Sequence, residues 1–207
     1  MREVLLAAYE ICSPLVPFLI FGGILLHDRR KKGEGISRGT VLPILVFALA
    51  LTGVWTATGS GTLYDLLRFQ PPVPRAQINL VPFSRTVDPA GYFLNIAMLV
   101  PAGFLIPLLM GDRGSFFKTC LSGFLISALA EISQLINHRS TDVDDLLTNT
   151  LGAALGWTLF LLWKKLRGER AEEKSFPGLL IFTAAATFLG RFFLFNEMGA
   201  ARLLYGF

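Results

Sequence analysis

SALAEISQLINHRSTDVDDLLTNTLGAALG, residues 127–156, is the stretch on which the reading of this chain turns. Apolar sequence runs into it from Phe116 and out of it to Trp163, and both runs are long enough to span a bilayer. Between them Glu131, Gln134, Arg139, Asp142, Asp144, Asp145 and Asn149 gather at one end of two such segments. Ionisable groups are costly in lipid, so a cluster of them marks a functional site or a paired structural lock.

The rest of the 207 residues fits a membrane setting, with 53% apolar and 16% charged content, far from a soluble domain of this size. Six windows reach the roughly 20 apolar residues that a crossing helix needs: 4–26, 40–59, 91–110, 116–137, 145–163 and 176–195. The expected fold is all-α, a polytopic bundle of about six membrane helices. It has five if the last window, which carries Arg191, does not span. Glu10, Pro14 and Pro17 blur the limits of the first.

Charge sets the orientation. Arg29, Arg30, Lys31, Lys32, Arg38, Arg113, Lys118, Lys164, Lys165, Arg167, Arg170 and Lys174 are 12 of the 19 basic residues, and they fall on alternate connections. The positive-inside bias makes those connections cytoplasmic and places both termini and the 127–156 cluster at the outer face. The net charge of +4 is thus a topology signal rather than a nucleic-acid footprint. The basic cluster follows the first apolar run, and no small-residue cleavage site is evident, so the first helix reads as retained. Cys12 and Cys120 fall in opposite halves of distant spans, which argues against a disulfide.

Three parts follow: residues 1–39, a first helix and basic loop; 40–163, the main membrane unit; and 164–207, a basic loop and last helix. The long connection 60–90 falls outside. Within it Leu63, Leu66 and Leu67 oppose Asp65 and Arg68, the pattern of a short interfacial helix. Pro71, Pro72 and Pro74 end it. Asn79-Leu-Val-Pro-Phe83 then returns to apolar character and either docks on the bundle or dips into the outer leaflet. The third span holds Asn95 and Pro101-Ala-Gly103, where a kink is expected. In the fourth, Thr119, Gly123, Ser127 and Glu131 recur every fourth residue, with Gln134 continuing one helix face. In the fifth, Asn149, Gly152 or Ala153, and Gly156 form a similar stripe of small residues. The loop 138–144 is short, so the two helices are expected to be antiparallel neighbours with these faces opposed.

Glu131 lies about six residues inside the outer helix end, roughly 9 Å deep at 1.5 Å per residue. An ionised carboxylate there calls for a cation, and Arg139 or Arg85 can supply it. Asp142, Asp144 and Asp145 start the fifth helix, where capping and the helix dipole account for one or two of them. If all converge with Glu131, they can hold a divalent cation through oxygen ligands or divide into a proton donor and a base. His138 stands alone beside them, which argues against a histidine-based zinc site. No G-x-S-x-G, phosphate-binding glycine loop or HExxH is present.

Asn79-Leu-Val-Pro-Phe83, Asn95 with Pro101-Ala-Gly103, Ser127-x3-Glu131-x2-Gln134 and Arg139-x2-Asp142-x-Asp144-Asp145-x3-Asn149-x2-Gly152-x3-Gly156 occur in the order and spacing of the VanZ-like family, which the chain resembles over residues 40–163. The resemblance implies a bacterial integral membrane protein of the cell envelope. The family takes its name from a factor associated with low-level teicoplanin resistance. By matched position the resemblance carries over Asn79, Glu131, Gln134, Arg139, Asp142, Asp145 and Asn149. Glu131, Asp142 and Asp145 are the candidates for chemistry, and Asn79, Arg85, Gln134, Arg139 and Asn149 for binding. The expected partners are membrane lipids, lipid-linked cell-wall precursors or the glycopeptide itself, and oligomerisation is open. Four classes stand side by side: an enzyme on an envelope lipid, a binding module for lipid or antibiotic, a proton-coupled carrier using Glu131, and a structural protein whose polar cluster locks a helix pair.

Overall fold

Backbone N–H and C=O groups find no water in hydrocarbon, so long apolar runs close their hydrogen bonds internally as helices. The computed structural model, which describes residues 1–33, 38–69, 77–84, 88–111, 114–168 and 176–206, shows eight helices among those residues. They are α1 (Arg2–Lys31), α2 (Arg38–Ala57), α3 (Leu63–Phe69), α4 (Pro89–Met110), α5 (Phe116–Gln134), α6 (Val143–Arg167), α7 (Pro177–Leu194) and α8 (Glu197–Tyr205). All but α3 and α8 are long and apolar enough to cross a membrane, and α7 meets that criterion despite Arg191.

Local chemistry sets the helix limits. Asp88 caps α4, its carboxylate accepting from Ala90 N–H, with Pro89 at the first helical position. Ser115 caps α5 and Asp142 caps α6 in the same way. Thr62 and Asp65 cap α3 reciprocally: Thr62 N–H donates to Asp65 Oδ2 at 2.8 Å, and Asp65 N–H to Thr62 Oγ1 at 3.3 Å. α8 lies beyond the last apolar window, begun by the Asn196 side chain accepting from Gly199 N–H. α4 continues as one helix through Pro101 and Pro107.

The core lies where Phe47, Leu51 and Trp55 of α2 meet Leu99 and Ile106 of α4. Trp55 Nε1 donates to Thr187 Oγ1 of α7 at 3.1 Å, which satisfies the indole inside it. α6 packs most extensively on α4. A Cβ on Gly152 would fall 2.2 Å from the carbonyl oxygen of Ile96, and one on Gly156 2.2 Å from that of Val100. The expected single stripe is therefore divided. Gly152 and Gly156 meet α4, while Asn149 and Ala153 of α6 meet Ser127 and Gly123 of α5.

Successive crossings put the N-terminus, α3, α8, the start of α4 and the α5–α6 turn at one end of the bundle. The basic last turns of α1 and α6 lie at the other.

Candidate functional site

At the first of these ends, α5 leaves its axis through a 3-10 turn, Leu135–Asn137, and His138 in the left-handed region (φ 59°). The chain then returns as β2 (Thr141–Asp142), which pairs in parallel with β1 (Ile78–Asn79). This two-residue ladder fixes the connection 77–84 against the start of α6. Glu131, 2% exposed, is its anchor. Its Oε2 accepts from Asp142 N–H at 3.1 Å, and its carbonyl oxygen accepts from Thr141 Oγ1 at 3.0 Å.

Each aspartate then serves a different neighbour. Asp142 caps α6 through Asp144 N–H at 3.0 Å and also receives Asn79 Nδ2 at 3.1 and 3.2 Å. Asp144, 2% exposed, receives Tyr92 Oη from α4 at 2.6 Å and Phe83 N–H at 2.9 Å. Asp145 receives Asn95 Nδ2 of α4 at 2.6 Å. Asn149 Nδ2 donates to Ser127 Oγ at 2.9 Å one turn further in, leaving its buried Oδ1 without a partner. Capping thus occupies Asp142, while Asp144 and Asp145 cross-link α6 to α4 and to the 77–84 segment. Phe83 holds a left-handed backbone (φ 54°) that costs on the order of 1–3 kcal/mol in a non-glycine residue. Its N–H bond to Asp144 and its ring against Tyr92, 6.4 Å between centroids, hold it there.

A family model described as VanZ/LLP1 matches residues 41–164, more than half of the chain. The chain belongs to the VanZ/LLP1 family. It is 29% identical over 107 residues to Protein VanZ of Enterococcus faecium, covering 50% of this chain and 66% of that protein. It is 25% identical over 126 residues to YwnJ, an uncharacterized membrane protein of Bacillus subtilis strain 168, covering 59% of this chain and 90% of that one. No solved structure matches it. Six long apolar helices and this membership make it a multi-pass membrane protein.

Within the VanZ/LLP1 segment, Asn79, Glu131, Asp142 and Asp145 come together, with Asn149 one turn deeper. Gln134 turns away, its Nε2 donating to the Thr58 carbonyl oxygen and its Oε1 buried without a partner. Arg139 is exposed, makes no ion pair among the described residues, and lays its guanidinium over Gly59. The expected Glu131–Arg139 pair is absent because the left-handed turn at His138 directs Arg139 to the α2–α3 side. Arg85 lies outside the described residues. The carboxylates gather without forming a metal-ligand set: among the described residues no three acidic, histidine or cysteine side chains could hold a metal ion. Tyr92 went unread in the sequence, although it stands three residues before Asn95 and so shares its helix face. The α1–α7 pair Glu10–Arg191, 2.9 Å apart, was likewise legible only as two separate irregularities.

Proposed function

We propose that this protein binds a lipid or lipid-linked precursor of the bacterial cell envelope at the outer face of the cytoplasmic membrane, and that it acts in tolerance to teicoplanin-type glycopeptides. The observation that carries this reading is an apolar lip fastened to a polar cluster. Leu80, Val81 and Phe83 are 70%, 63% and 62% exposed, and the same segment is bonded to Asp142 and Asp144 through Asn79 and Phe83. Such a lip suits the acyl or prenyl part of an amphiphile, and the adjoining carboxylates and amides suit a headgroup rich in hydrogen-bond donors. The positive-inside charge pattern supports the orientation, and the resemblance to VanZ supports the envelope setting.

A second reading, a purely structural lock, draws on the distribution of bonds: Asp142, Asp144 and Asp145 each hold a different partner. One experiment separates the two. A susceptible Gram-positive host expresses wild type, Glu131→Gln or Asp145→Asn at matched membrane levels, with Tm measured on each purified protein. The binding reading expects wild type to protect and the variants to lose protection with Tm retained. Loss of protection together with a lowered Tm supports the lock. Full protection by both variants removes the cluster from the function.

A further inference from the structure

A cavity of about 450 Å³ opens at the same end of the bundle on the far side of the α5–α6 turn. Its walls come from two sources. Gly59, Arg68 and Arg139 belong to the VanZ/LLP1 segment, whereas Glu10 of α1 and Arg191 of α7 lie outside residues 41–164. The volume is within the roughly 300–1,000 Å³ typical of small-ligand sites.

The chemistry of the wall is selective. Arg191, 3% exposed, is already paired with a carboxylate: Nε donates to Ser60 O at 3.1 Å and Nη1 to Glu10 at 2.9 Å. Asp65 is likewise engaged, accepting from the Thr62 N–H and hydroxyl, both at 2.8 Å. Glu197 stands on the rim in the first turn of α8, where the helix dipole favours it. Two guanidinium groups remain. Arg139 makes no ion pair among the described residues, and its position depends on Gly59: a Cβ there would fall 1.7 Å from Nη1. Arg68 donates to Tyr64 Oη at 3.0 Å and lies 5.6 Å from the Phe69 ring centroid, with no carboxylate paired to it among the described residues. Thr56, also on the wall, has a buried hydroxyl with no partner. Unpaired guanidinium forks, with an unused hydroxyl on the same cavity wall, match the oxygens of a phosphate, which accepts several charge-assisted hydrogen bonds at once.

We propose that this cavity is a second binding site, separate from the Glu131 cluster, for a phosphate group, with Arg139 and Arg68 as its ligands. At a membrane surface that phosphate belongs to a lipid headgroup or to the free anion, and the test separates the two. Full-length protein in neutral detergent is titrated with phosphatidic acid, with diacylglycerol and with inorganic phosphate, reading Tm. The expected result is a saturable rise in Tm with phosphatidic acid and none with diacylglycerol. Affinity should fall about tenfold or more in Arg139→Gln and in Arg68→Gln, in line with the loss of charge-assisted bonds. Lys165→Gln, at the opposite end of the bundle, should bind as wild type. A saturable rise with inorganic phosphate that is equally sensitive to Arg139→Gln also supports the site and assigns it to the free anion. No shift with either phosphate compound, or a shift that survives both arginine substitutions, overturns the proposal.

Discussion

Tyr92 shows how a single hydroxyl joins three parts of the site. Its 2.6 Å bond to Asp144 ties α4 to the start of α6, and the other oxygen of that carboxylate holds Phe83 in its strained turn. Tyr92→Phe removes the donor and keeps the ring, so a buried carboxylate oxygen loses its partner. The expected cost is about 1–3 kcal/mol, read as a lowered Tm, together with faster proteolysis within residues 77–84. An unchanged Tm would mean that water or another donor replaces the hydroxyl. The candidate residues were recognisable by type and spacing in the sequence, because a carboxylate in an apolar run is conspicuous. Their partners were not, because a hydrogen bond across 50 or more residues, as in Asn95–Asp145 and Tyr92–Asp144, has no local pattern.

Among elements, the α4–α6 pair is the contact on which the site depends. Gly152 and Gly156 let two backbones approach within side-chain distance, the arrangement that replaces a hydrophobic driving force between helices in lipid. Gly152→Leu has no room, since even its Cβ would meet the Ile96 carbonyl oxygen at 2.2 Å. The helices must separate, which pulls Asn95 from Asp145 and Tyr92 from Asp144. The expected outcome is destabilisation of more than about 3 kcal/mol or failure to accumulate in the membrane, measured as Tm and as monodisperse yield in detergent. Leu151→Ala, on an exposed face of the same turn, should leave both nearly unchanged. The sequence showed the small residues but not which helix they meet. A stripe on α6 divides between two neighbours when both lie within reach of adjacent faces, and only the rotation of the helix assigns each residue.

For the whole molecule, the arrangement of charge makes orientation testable. The basic turns closing α1 and α6 share one end, and the polar cluster and the Arg139 cavity share the other. With Cys12 and Cys120 replaced by serine, a membrane-impermeant maleimide added to intact cells should label Glu3→Cys and spare Lys165→Cys until the cells are opened. The reverse pattern would place the polar cluster and the Arg139 cavity on the cytoplasmic side and remove the outer-leaflet reading. The sequence by itself determined the number and approximate limits of the membrane helices, the short helix before the proline run, and the end of the bundle where polar groups collect. Length, hydropathy and charge are local properties, so they survive without knowledge of packing. Only the tertiary structure decided that Arg139 lies over Gly59 without pairing with Glu131, that Asp144 and Asp145 act as cross-links rather than caps, and that Glu10 and Arg191 form a pair across 181 residues. Those choices depend on how helices rotate and approach one another, and that is set by the sum of many contacts distributed along the chain.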